Sequence, residues 1–203
     1  MAPIFAIYLV WAFWLVSWLA AALWSGPALK RGDLLQESLT RVMAIAGFVL
    51  LFGFFVSRYD IIYRLWRTPT GILGWTMVAV VVIGFAFCWW ARIQLGSLWS
   101  GPITRQHDHH VVETGPYAIV RHPIYTGLTL CVIATAIVQG TPTSFIGAAL
   151  MTLSYYIKAL LEERFLRQEL GAQGYDAYSK RVPMFVPFLR WPADVPGERP
   201  RRG

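Results

Sequence analysis

Five apolar runs constrain this chain more than any other feature in it. They are Ile4–Trp24, Val42–Ser57, Ile72–Ala91, Tyr125–Gln139 and Ser144–Leu161. Each approaches or reaches the ~17–25 residues that carry a helix across a bilayer. The second and fourth are short, and flanking residues such as Arg41 and Arg58 can extend them by snorkelling. Composition agrees: 56% of the residues are hydrophobic and 14% charged, against roughly 45–50% and 25% in a soluble domain. Tryptophan, which favours membrane interfaces, is abundant. The expected fold class is all-α, a polytopic membrane helix bundle of about five transmembrane helices with a cytoplasmic C-terminal helical segment.

The opening stretch "MAPIFAIYLVWAFWLVSWLAAALW" has no basic leader, and its apolar run exceeds the ~7–15 residues of a signal-peptide core. It reads as a retained first span. "GTPT" at Gly140–Thr143 is a tight turn, so the fourth and fifth helices form a hairpin. The loops Ser25–Arg41 and Arg92–Ile124 and the C-terminus belong on one side. That side then holds all of the 18 basic residues except Arg58, Arg64 and Arg67. The excess marks it as cytoplasmic and places the N-terminus outside. Beyond the fifth span, Leu160, Leu161, Phe165, Leu166 and Leu170 keep helical spacing and Gly171 is a natural stop, so that helix runs on out of the bilayer. "GYDAYSKR" forms a further short helix or turn, and "RVPMFVPFLRWP" suits the interface. The regions are residues 1–91, the N-terminal spans; 92–191, a catalytic region with a cofactor pocket and the helical hairpin; and 192–203, a disordered basic tail.

The net charge of +7 does not point to nucleic acid, because the basic residues follow topology and form no patch interleaved with aromatics. Cys88 and Cys131 lie inside apolar runs with no metal or redox spacing and behave as small hydrophobes. His107, His109 and His110 crowd one loop without the carboxylate–histidine spacing of a zinc site, so no metal is expected.

What a packed bundle does not need is "ETGPYAIVRHPIYTG", Glu113–Gly127. Pro123 starts a helix and disfavours helical geometry at His122, which holds Arg121 and His122 at a helix N-terminus. Backbone N–H groups and partial positive charge collect there and favour an anionic group. Gly115 and Pro116 make a turn that presents Tyr117. Glu162 and Glu163 end the fifth span, and ionisable groups there are functional candidates. Adjacent helical residues diverge by about 100°, so only one of the pair is expected to face a given site. A salt bridge to Arg121, Arg164 or Arg167 is the structural alternative. Histidine and a helix end for a carboxylate, glutamate for an ammonium and tyrosine rings for a sulfonium or flat base fit S-adenosylmethionine. No glycine-rich strand–turn–helix is present, which excludes a Rossmann-type methyltransferase.

"HHVVETGPYAIVRHPIYTG" followed by "EERFLRQELGAQGYDAYSKRVP" resembles the isoprenylcysteine carboxyl methyltransferase family, whose relatives include phospholipid methyltransferases. The resemblance runs from Trp99 to Pro187. It implies a cofactor, S-adenosyl-L-methionine, lined by His109, His110, Val111, Val112, Tyr117, His122, Pro123, Ile124, Tyr125 and the acidic Glu163. Thr104 stands loosely where the eukaryotic enzymes carry a glutamine. Those enzymes also place an arginine one turn before the acidic residue to meet the substrate carboxylate; Ala159 stands there, with Lys158 beside it as the candidate substrate contact. Arg121 and Glu162 are the candidate catalytic residues; the proton of an amine or thiol acceptor could pass to Glu162, His109 or His122. The implied acceptor is a lipophilic small molecule among membrane lipids, with isoprenylcysteine carboxyl O-methylation as the leading reaction. Phospholipid N-methylation and thiol S-methylation are alternatives. A sterol-reductase-like enzyme and a non-enzymatic membrane protein are the rivals from other classes.

Overall fold

The computed structural model describes residues 2–23, 30–31, 34–53, 64–96, 99, 104–105, 112–170 and 172–189. Among the described residues six helices follow one another: α1 (Pro3–Ala22), α2 (Leu34–Phe52), α3 (Ile72–Leu95), α4 (Pro123–Gln139), α5 (Pro142–Leu170) and α6 (Ala172–Arg181). A 3-10 turn covers Gly115–Ala118. Four of them, α1, α2, α3 and α5, are long and apolar enough to cross a membrane; α4, with 17 residues, is shorter. The chain is an integral membrane helix bundle.

Contacts define the two ends of the bundle. At one end Arg92 of α3 donates to the Ala21 carbonyl of α1, and Lys30–Arg31 (β1) pairs antiparallel with Thr104–Arg105 (β2). The loops assigned to one side by charge therefore meet in space. This two-residue ladder leaves the all-α class unchanged; its isolated backbone pairing has no hydropathy signature. At the other end the Leu65 N–H donates to the Gly140 carbonyl and Trp66 Nε1 to the Ile137 carbonyl, closing the segment before α3 over the α4–α5 hairpin. Gly140 caps α4 at φ +63°, a left-handed conformation that glycine adopts without steric cost.

The second helix differs from its hydropathy boundaries. It begins at Leu34, eight residues before Val42, through a polar turn in which Arg41 bonds Glu37 at 2.9 Å. Hydropathy marks only the lipid-facing part of a helix, and a first turn stabilised by an i,i+4 ion pair falls outside it. Arg58 lies outside the described residues. The fifth helix does run on to Leu170, and α6 covers all of "GYDAYSKR".

Trp11 holds the bundle together around its α1 face. Its ring meets Phe48, Phe52 and Phe85 edge-on, at 4.8 Å from the last, and its Nε1 donates to Thr135 Oγ1 at 3.0 Å. Gln139 donates to both the Tyr8 hydroxyl and the Leu51 carbonyl. Such interhelical hydrogen bonds, with small residues at the crossings, are how helices associate where lipid removes the hydrophobic drive. The crossings are glycine on glycine: Gly84 on Gly127 between α3 and α4, Gly47 on Gly147 between α2 and α5. Cys88 and Cys131 are buried beside the first of these. A Cβ on Gly127 would stand 2.5 Å from the Gly84 carbonyl oxygen and 2.6 Å from Cys88 Sγ. Gly127→Ala should therefore destabilise the bundle by about 1–3 kcal/mol through overpacking, despite alanine's better helix propensity, lowering the thermal midpoint in detergent. An unchanged or raised midpoint would show that α3 and α4 separate freely.

Candidate functional site

Pro123 sits in the first turn of α4, and His122 before it takes a non-helical φ of −123°. This turns the backbone so that Arg121 and His122 meet the segment after α6. Arg121 N–H donates to the Pro183 carbonyl at 2.9 Å and His122 N–H to the Met184 carbonyl at 3.1 Å. Residues 182–185 thus form a strap across the start of α4. Thr126 Oγ1 fastens it again by donating to the Phe185 carbonyl.

Arg121 points inward, not to the interface. Its Nε donates to Glu163 Oε1 at 2.8 Å, and its Nη1 to the carbonyls of Ser179 at 2.9 Å and Val182 at 2.7 Å. An arginine at a helix mouth can also serve as a snorkelling anchor, but this side chain is 1% exposed. Its fork ties α5, the end of α6 and the strap into one unit.

His122 lies between the two glutamates. Nε2 is 3.1 Å from Glu163 Oε1 and Nδ1 is 3.6 Å from Glu162 Oε2. The expectation that only one of the pair faces the site is corrected here. The two nitrogens sit on different edges of the imidazole, so one ring spans the divergence of adjacent helical residues. Glu162 Oε1 also accepts from the Tyr125 hydroxyl at 2.5 Å. Both carboxylates lie against the first turn of α4, the end at which a helix favours negative charge. Two anionic groups thus face Arg121 and His122.

The neighbours of His122 fix its charge. Burial pulls its pKa down, but hydrogen bonds to Glu162 and Glu163 and their negative charge outweigh it, and the net shift is upward from 6.5. A group whose native pKa is raised stabilises the fold fully below its unfolded value, and that contribution is lost as pH rises through the native value. Thermal stability in detergent should thus fall as pH rises from about 6.5 upward, and His122→Asn should flatten this part of the profile. A profile equally steep in the variant would place the titration elsewhere.

Rings complete the cluster. Tyr125 stacks on His122 at 5.8 Å and on Tyr155 at 5.8 Å, and Phe185 also stacks on His122 at 5.7 Å. Lys158 Nζ lies 6.0 Å from the Tyr125 ring centre. Tyr117, on the 3-10 turn, is buried, and its carbonyl accepts from the Tyr178 hydroxyl at 2.7 Å. Burial first, then the charge of Glu162, pushes the Tyr117 pKa well up, so its phenol stays neutral. Arg167 bonds Asp176 at 2.8 Å and lies over the Tyr175 ring, fastening α6 beside α5.

The structure thus brings together Arg121, His122, Pro123, Tyr125, Lys158, Glu162 and Glu163, with Tyr117 beneath α6. Ile124 packs against the apolar core, and its carbonyl accepts from Cys88 Sγ. Val112 is half-buried ahead of the turn. His109, His110 and Val111 lie outside the described residues, as does the side chain of Thr104, whose backbone forms β2. Ala159 is fully buried, with Lys158 half-buried beside it. Among the described residues no group of three His, Cys, Asp or Glu side chains is placed to hold a metal. Tyr155 and Phe185 are additions to the sequence reading. Tyr155 stands seven residues before Glu162, two turns along the same helix face, a spacing that could have found it. Phe185 carries no such signal.

The two glutamates differ in what they have left to offer. The Glu163 side chain is 5% exposed and is held by Arg121 and His122, with Arg167 Nη2 4.0 Å from its other oxygen. The Glu162 side chain is 27% exposed, and His122 approaches its Oε2 only loosely.

Comparison with known proteins adds the family. The family model described as Phospholipid methyltransferase matches residues 72–173, from the start of α3 to the beginning of α6. Protein-S-isoprenylcysteine O-methyltransferase B of Arabidopsis thaliana is 35% identical over 88 residues, 43% of this chain and 44% of that one. The Homo sapiens protein-S-isoprenylcysteine O-methyltransferase is 28% identical over 127 residues, 62% of this chain and 43% of that one. The matches thus span less than half the length of either relative. A solved structure of the eukaryotic intramembrane Ras methyltransferase ICMT (isoprenylcysteine carboxyl methyltransferase) is similar over 77% of this chain and 54% of its own, at 22% identity and a TM-score of 0.48.

Proposed function

Because this chain belongs to the phospholipid methyltransferase family, we propose that it is a membrane methyltransferase that transfers a methyl group from S-adenosyl-L-methionine to a lipophilic acceptor. The leading acceptor is the carboxylate of an isoprenylated cysteine, the substrate named for its plant, yeast and animal relatives. The observation that carries the reading is the cluster at the start of α4: a partly exposed carboxylate, Glu162, braced by Tyr125 and His122 beside a stack of aromatic rings.

These groups fit the cofactor. A carboxylate has about four lone-pair positions, so Glu162 retains capacity for an ammonium after meeting Tyr125 and His122. The faces of Tyr125 and Tyr155 suit a sulfonium cation. His109, His110, Val111, Val112, Tyr117, His122, Pro123, Ile124 and Thr104 remain further proposed cofactor contacts. The bound cofactor supplies a methyl group already activated by positive sulfur. The chain's own task is alignment, for which effective molarity contributes ~7–11 kcal/mol. Lys158 is the proposed contact for an anionic acceptor; its position over Tyr125 supports this. Arg121 acts through position: by holding Glu163 and the strap it sets His122 between the glutamates. A carboxylate acceptor needs no base. For an amine or thiol, the partly exposed Glu162 is the proposed proton acceptor.

The proposed orientation places the cluster end on the cytoplasmic side of the membrane, the C-terminus in the cytoplasm and the N-terminus outside, with residues 1–91 as supporting spans and 92–191 as the catalytic region. A reporter at the C-terminus should be cytoplasmic and one in Gly140–Thr143 on the opposite face. The test of function is calorimetric binding of S-adenosylmethionine to purified protein, then transfer of labelled methyl to prenylcysteine analogues and phospholipid amines. Saturable binding with label on the prenylcysteine carboxylate is expected. Label on the amine would move the acceptor to phospholipid, and absence of binding would overturn the methyltransferase reading.

A further inference from the structure

The segment that follows the strap leaves the protein surface. Phe188 is 99% exposed, and Val186 and Leu189 are each 52% exposed. Phe188 also holds φ at +66°, the sole non-glycine positive φ among the described residues. An aromatic residue in this left-handed conformation is strained, and here the strain presents its ring outward.

Depth follows from α4. A 17-residue helix is about 25 Å long, short of the roughly 30 Å hydrocarbon core. Its far end is marked by Trp66, which bonds the Ile137 carbonyl and is 41% exposed, as an interfacial tryptophan would be. The near end, Pro123, therefore falls within the edge of the apolar layer, and so does the strap bonded to Arg121 and His122. Phe185 continues from the strap onto α5, where its ring meets Tyr156 at 6.1 Å. Tyr156 and Leu153 are exposed on the outer face of that span. Val186–Leu189 is thus continuous with a lipid-facing surface. In the sequence, exposed Lys180 precedes it and Arg190 and Trp191 follow it, residue types that meet anionic headgroups and the interface.

We propose that Val186–Leu189 is a lipid-seated anchor: it inserts Phe188 into the acyl–headgroup boundary of the bilayer beside the start of α4. The occupant of this surface is the bilayer itself. The proposal does not rest on the methyltransferase reading.

Site-directed spin labelling of the full chain in nanodiscs of zwitterionic and anionic phospholipid tests it. Cys88 and Cys131 are buried, and the unsubstituted chain, treated with the same label, sets the background. A nitroxide at Phe188→Cys should be more accessible to oxygen than to an aqueous nickel chelate, as at the lipid-facing control Phe13→Cys and opposite to the polar control Lys180→Cys. Nickel accessibility at 188 equal to that at 180 would overturn the proposal. Spin–spin broadening at 188 would overturn it in favour of a second copy of the chain. Independently, a benzoyl-phenylalanine photocrosslinker at position 188 should yield phospholipid adducts on irradiation; adducts only to protein would overturn it as well.

Discussion

Arg121→Ala should unfold this protein under conditions in which most single substitutions leave it intact. Removing one partner from a buried ion pair costs about 3–5 kcal/mol, because the other charge stays buried and uncompensated. Here the loss is wider than one pair. The Arg121 fork also satisfies the carbonyls of Ser179 and Val182, which end α6 and begin the strap. Arg121→Lys should recover only part of the deficit, since one ammonium cannot reproduce the planar donors that reach Glu163 and two carbonyls together. Thermal midpoints in detergent, with limited proteolysis after Arg181, would measure this. The strap should become cleavable in Arg121→Ala before the spans do. Arg121→Lys with wild-type stability but no methyl transfer would instead make Arg121 a direct participant in the reaction.

This result would explain why a residue at a helix mouth reads ambiguously from sequence. Arginine beside Pro123 fits a snorkelling anchor, a ligand clamp or an internal tie equally well, because the three differ only in which way the side chain turns. The deciding partners are some sixty residues away: the Pro183 carbonyl for its N–H, those of Ser179 and Val182 for its fork. No local pattern encodes that closure. The helices were legible because length and hydropathy are properties of a segment by itself. The polar first turn of α2 was not, since Glu37 and Arg41 stabilise helix without being apolar. The Glu162–Glu163 pair was legible as chemistry but misread as geometry: helical divergence is real, but a ring with two acceptor-facing edges bridges it. Tyr155 was within reach of spacing, and Phe185 was not.

Glu162→Gln and Glu163→Gln should separate along two different measurements. Glutamine keeps the shape of glutamate and removes its charge. At position 162 the carboxylate is partly exposed, and the proposed role is to meet the ammonium of the cofactor. Losing one charge-assisted hydrogen bond there costs about 1.5–3 kcal/mol, which is about a ten- to hundred-fold loss of affinity for S-adenosylmethionine. The thermal midpoint should fall less than in Glu163→Gln, because Tyr125 still has an amide oxygen to bond, although the pH dependence carried by His122 should shrink here too. At position 163 the carboxylate is buried between Arg121 and His122. Neutralising it strands the guanidinium and removes part of what keeps His122 protonated, so the thermal midpoint should drop and the pH dependence between about 6.5 and higher pH should shrink. Affinity measured on the fraction that remains folded should fall less than in Glu162→Gln. The sequence resemblance alone assigns the ammonium to Glu163, and the reverse outcome would restore that assignment: intact stability and lost affinity in Glu163→Gln, with Glu162→Gln near normal. It would mean that binding of the cofactor draws Glu163 away from Arg121, and the cluster at the start of α4 would then be a switch between two ion pairs.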